Sequence, residues 1–166
     1  MIADAMTKNG WKVLQEVECN SHSMKQINED SDNSSVESFS SRRVDIIAYN
    51  QTTRKGVILD PTIRMEQNTN QADLVDLKKK AFYEPCIPYF KEKLGLDDIE
   101  VIGLYVGARG TISKFFLEFL KNHALPSTLI EDIVTTVLKK SAQICVHHLF
   151  SNIPDNEPPV ADLFMV

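Results

Sequence analysis

The chain has little of what would tie it to a membrane, an oxidising compartment or a polyanion. Its 166 residues contain no apolar run near the ~20 needed to span a bilayer, so no membrane partner is expected. Residues 1–6 lack the basic stretch and apolar block of a secretory leader. Cysteine is scarce and odd in number: Cys19, Cys86 and Cys145 are scattered and lack metal-ligand spacing. They read as buried free thiols, and the expected location is intracellular. Positive charge is also short, 18 Lys and Arg against 23 Asp and Glu, leaving a net charge of −5. No global field therefore draws the chain to nucleic acid, which argues against a stand-alone DNA binder. It leaves room for a catalytic module delivered to DNA by another domain. Basic residues gather only locally, at 42–43, 54–55 and 78–80.

What is present suits one globular domain: 43% hydrophobic and 25% charged residues. Residues 2–9 are helix-compatible and end at Asn9-Gly10, a helix stop. Trp11, Val13, Val17 and Cys19 alternate with Lys12, Glu16 and Glu18, a strand period. Residues 20–41, rich in Ser, Asn, Asp and Glu, read as a flexible surface insertion. Residues 43–49 and 55–60 are strand-like, and polar residues 51–54 form a four-residue hairpin loop between them. Apolar residues at helical spacing predict a helix over 71–84, ended or kinked by Pro85. A second helical piece is expected at 88–94, stopped by Gly95, and then a buried strand over 99–106. Thr111 is the expected cap of a helix reaching 122, and another helix opens at 126–127 and runs to 150.

The fold class that follows is α/β: helix, three strands, helix, strand, then two helices, with a mixed sheet flanked by helices. The helix between the third and fourth strands is a crossover, so these two strands should run parallel. The expected organisation is a core over 1–106 interrupted by the 20–41 insertion, a helical extension over 107–153 packed on it, and an extended tail over 154–166.

Centring the hairpin on residues 51–54 pairs Asn50 with Lys55, Ala48 with Val57, and Asp45 with Asp60. Opposed residues share a face, with Cα atoms roughly 4.5–5.5 Å apart. Two carboxylates that close repel unless a cation or shared proton neutralises them, which points to a divalent metal such as Mg²⁺. Such an ion polarises a phosphodiester oxygen and lowers the pKa of a bound water. Lys79 and Tyr83, four residues apart, lie on one helix face, where a lysine could stabilise phosphate charge. Read alone, residues 78–80 describe a solvated helix face better than a site. Glu16 is a further acid on the first strand. Arg109, ahead of a helix N-terminus, is a phosphate candidate, and His147-His148 beside Cys145 read as packing residues.

The run Arg43-Val44-Asp45, then Asp60-Pro61-Thr62-Ile63-Arg64-Met65-Glu66, then Lys79 and Tyr83 with Pro85 following, resembles a known family. It is the restriction-like endonuclease domain of site-specific non-LTR retrotransposons, in the PD-(D/E)XK superfamily, found at the end of a reverse transcriptase polyprotein. The resemblance spans roughly residues 1–106. The family's pattern has a proline where Val44 stands, and the usual superfamily lysine two places after the second acid is replaced by Thr62. In this branch the lysine sits on the helix. The resemblance implies a restriction-endonuclease-like core and a Mg²⁺- or Mn²⁺-dependent DNA endonuclease. Asp45 and Asp60 would be metal ligands, Lys79 the catalytic lysine, and Glu66 and Tyr83 supporting site residues. It also implies DNA delivered by other domains of a polyprotein, and a nuclear setting. The alternative is an inactive α/β remnant serving as an interaction domain.

Overall fold

The computed structural model describes residues 1–23 and 38–150. Most of the 20–41 insertion and the whole 154–166 tail lie outside them. Helix α1 (Ile2–Lys8) is followed by β1 (Lys12–Ser23), β2 (Ser38–Asn50) and β3 (Lys55–Arg64). Helix α2 (Gln71–Tyr83) leads through a 3-10 turn, Glu84–Cys86, into α3 (Ile87–Leu94). Strand β4 (Asp98–Gly107), α4 (Lys114–Asn122) and α5 (Thr128–Phe150) complete the fold. The strands form one sheet in the order β1-β2-β3-β4, antiparallel at the first two joins and parallel at the third. The fold is thus α/β, a four-strand mixed sheet flanked by helices.

The hairpin register is the expected one where the strands pair: Asn50 with Lys55 and Ala48 with Val57, the ladder ending at Ile46–Leu59 before the expected Asp45–Asp60 pair. Asn50 fixes it, since its Oδ1 accepts the N–H groups of Thr52 and Thr53 at 2.9 and 3.1 Å and closes an Asx-type turn. β3 outruns its expected end at Asp60 and continues to Arg64 against β4. Pro61 is tolerated because the β2–β3 pairing has already ended at Leu59, leaving that edge with no ladder bond to lose. β1 and β2 likewise extend, in backbone pairing, to Ser23 and Ser38. Positions 20–23 and 38–41, expected to be insertion, belong instead to strands, because pairing overrides a polar composition.

Each sheet face carries its own core. On one, Ile46, Ala48, Val57, Leu59, Leu104 and Val106 pack with α1 and with Phe116, Phe119, Leu129, Ile133 and Val137 of α4 and α5. Residues beyond 107 therefore share a core with the sheet. On the other, Ile47, Ile58 and Val101 pack with Tyr83, Cys86 and Phe90. Cys19 and Cys86 are buried there, whereas Cys145 is exposed, contrary to expectation. Among the described residues no helix is long and apolar enough to cross a membrane.

One helix boundary differs from the sequence reading. The cap of α4 is Ser113, whose Oγ accepts the Phe116 N–H at 3.3 Å. Thr111 is engaged elsewhere, donating its hydroxyl to Glu66 at 2.9 Å. At Pro85 the expected break is present: α2 ends at Tyr83, and a 3-10 turn with proline in its first residues leads into α3. Gly95, at φ 66°, makes the left-handed stop expected of it.

Candidate active site

The site forms where β2 and β3 part. The β2–β3 ladder ends at Ile46–Leu59, one step short of the Asp45–Asp60 pair expected from the sequence, and the two acids lie near enough for the Asp60 charge to act on the Asp45 carboxyl. The flanking pairs Gln15–Ile46 and Val17–Val44 set Glu16 opposite Asp45. Glu16 has a φ of 55°, left-handed and uncommon for a non-glycine residue. Around it the side-chain alternation slips: Val13 and Ile46 pack on one core, but Val17 and Val44 on the other. Both strands change faces at the same place, so the acids stand at a break in the sheet rather than within a regular ladder.

Asp60 is 3% exposed and ends the apolar run Val57–Leu59 on the α2 side of the sheet. Lys79 donates from Nζ to its Oδ2 at 2.7 Å, and the Tyr83 hydroxyl donates to the same oxygen at 2.8 Å. The Thr62 hydroxyl donates to Oδ1 at 3.2 Å, and the Arg43 carbonyl lies 3.3 Å from the Tyr83 oxygen. Asp60 is thereby held from both oxygens. Burial, then the hydrogen bond to Asp60, pushes the Tyr83 phenol well above its ordinary range, so it stays a neutral donor.

Asp45 is half-buried. Burial first, then the charges of Asp60 and Glu16, raise its carboxyl above the ordinary value, with Lys79 and Arg43 opposing. Among the described residues nothing donates a hydrogen bond to it. The centre therefore holds more negative charge than one ammonium offsets. Glu16 pairs with Arg43, and that pair is exposed.

α2 is placed by Asp76, a buried acid that carries no sequence signature. Its Oδ1 accepts the Gly103 N–H at 2.9 Å and its Oδ2 takes Lys80 at 2.7 Å. Gly103 is the residue paired with Asp60 across β3–β4. Asp76, Lys79 and Tyr83 fall at i, i+3 and i+7, one helix face. Anchoring the first at Gly103 thus sets the other two on Asp60. A Cβ on Gly103 would meet the Asp76 Cα at 2.9 Å, so only glycine permits this approach.

Glu66, expected at the site, is placed elsewhere. Its Oε1 accepts the Thr111 hydroxyl at 2.9 Å and the Arg109 N–H at 3.2 Å, and its Oε2 takes Arg109 Nε at 3.2 Å. Burial opposes its ionisation, but its own backbone N–H, Thr111 and Arg109 outweigh that and lower its pKa to about 2. It ties the β3–α2 connection to the β4–α4 loop and shares no partner with Asp60. Arg109, a sequence candidate for phosphate, is the other half of that tie. His147 and His148 lie on the exposed end of α5.

The arrangement defines an acid–acid–lysine–tyrosine centre on an α/β sheet. No protein-family model matches the chain, and no curated protein matches it. Among the described residues no group of three or more His, Cys, Asp or Glu side chains is placed to hold a metal. The donor set nevertheless suits a hard cation, because Mg²⁺ takes one or two carboxylates and keeps several waters. Two carboxylates as donors match such an ion better than a soft one.

Proposed function

We propose that the chain is a Mg²⁺- or Mn²⁺-dependent DNA endonuclease domain with a restriction-endonuclease-like core, similar to the domains that nick target DNA for non-LTR retrotransposons. The observation that carries this reading is the convergence of Lys79 and Tyr83 on buried Asp60 at 2.7 and 2.8 Å, with Asp45 near enough to feel the Asp60 charge.

Asp45 and Asp60 would hold the metal, which supplies Lewis acidity toward a phosphate oxygen and a bound water of lowered pKa. Lys79 has three ammonium donors and spends one on Asp60, so the others are available to a non-bridging phosphate oxygen as charge builds there. Tyr83 and Thr62 hold the Asp60 carboxylate in one orientation, so it need not reorganise during the reaction. With a net charge of −5, the site's affinity for duplex DNA would come mostly from other segments of a larger assembly.

A supercoiled-plasmid nicking assay with Mg²⁺ or Mn²⁺ tests the proposal, with calorimetric Mn²⁺ titration beside it. Metal-dependent nicking that disappears in Asp60→Ala and in Lys79→Ala supports it. No nicking by the folded parent at high concentration, with no Mn²⁺ uptake, overturns it in favour of a non-catalytic interaction domain.

A further inference from the structure

The residue before Tyr83 points the other way. Phe82 is 47% exposed, an unusual setting for a large aromatic ring that sits beside a buried cluster. Its centroid is 4.9 Å from that of Tyr83, the planes nearly perpendicular at 87°, so it stands edge-on to the ring that holds Asp60. The Arg42 guanidinium lies 4.7 Å from the Phe82 centroid and donates a hydrogen bond to the Phe82 carbonyl. Among the described residues no carboxylate pairs with Arg42, whereas neighbouring Arg43 is matched by Glu16. Among the described residues, then, this cation rests on an exposed ring without a carboxylate partner, one residue from the acid–lysine centre.

An aromatic face flanked by a guanidinium accepts a nucleobase, since every base has a π-face. In an unbroken duplex those faces are covered by their neighbours. Resting on the nuclease reading, we infer that this site takes DNA with an unpaired nucleotide beside the scissile phosphate, its base stacked on Phe82 and its phosphate near Arg42. Leu74 and Leu77 are also exposed on α2, an apolar ridge of the kind a protein covers, but Leu77 lies about 140° around the helix from Phe82. A nucleic-acid occupant is favoured at the ring because a guanidinium stands over it and Tyr83 joins it to the centre.

Binding without metal separates this inference from catalysis. The full chain in EDTA is titrated into a single-stranded oligodeoxynucleotide carrying one 2-aminopurine, and into a hairpin duplex with the same probe. Expected are tighter binding to the single strand, quenching of the probe on stacking, and roughly tenfold weaker single-strand binding in Phe82→Ala. Phe82→Trp restores both affinity and quenching, and circular dichroism checks that each variant is folded. Equal affinity for the two DNAs, or a preference unchanged in Phe82→Ala, overturns the inference and leaves the ridge to a protein partner. Nicking without single-strand preference sinks only this inference. Single-strand preference without nicking by the parent sinks only the catalytic reading.

Discussion

Glu66→Gln keeps the shape of the tie between the β3–α2 and β4–α4 connections and removes its charge. In the parent, one oxygen accepts from Thr111 and the Arg109 backbone, and the other from the Arg109 side chain. Glutamine keeps the first acceptor but turns an N–H toward the second donor. A hydrogen bond to a charged group contributes about 1.5–3 kcal/mol. Arg109 is 68% exposed, and solvent screening brings the expected loss down to about 1–2 kcal/mol. For a chain of this size that is a fall in Tm of roughly 2–8 °C.

The pH dependence follows from the same carboxylate. Its folded pKa of about 2 lies below the ordinary 4.5, so the stabilisation is complete above about pH 4.5 and is lost as pH falls toward 2. Thermal melts of parent and variant at pH 7, 4 and 3 should therefore show a gap that narrows with acid. Equal melting at pH 7, or a gap indifferent to pH, refutes the reasoning. Nicking should survive the substitution. Its loss without a change in stability would return Glu66 to the catalytic centre.

Three further outcomes follow from the geometry. In Asp45→Asn, the raised folded pKa means that the charged form costs stability at neutral pH. The variant should melt higher than the parent at pH 7 without metal, the advantage vanishing below the ordinary carboxyl range, while Mn²⁺ uptake in calorimetry is lost. Tyr83→Phe keeps the buried ring but removes the 2.8 Å donor to Asp60, so denaturant titration should show a loss of about 1–3 kcal/mol. In Gly103→Ala the new methyl meets the α2 backbone at Asp76. Stability should fall by about 1–3 kcal/mol, and nicking should fall much further than in Tyr83→Phe because Lys79 is displaced.

Much of the site was legible because hairpin geometry is local. Four polar residues between two apolar runs fix the register, and the register brings the strand ends that carry Asp45 and Asp60 together. The i,i+4 spacing puts Lys79 and Tyr83 on one face in any helix. Glu66 was misplaced because nearness in sequence to Asp60 gave no warning that β3 continues to Arg64 and carries it away toward Arg109. Thr111 failed as a cap for a related reason: its hydroxyl had a distant acceptor that no local pattern announces.

The sequence alone settled the turn, the helix over Gln71–Tyr83 and the shared face of Lys79 and Tyr83, since each depends on neighbours within a few positions. Tertiary structure decided which face of α2 meets the sheet, through Asp76 on Gly103, and where the β1–β2 ribbon changes sides at Glu16. Those outcomes depend on contacts between residues far apart in the chain. Burial and close backbone approach select among arrangements that local propensity leaves equal in energy.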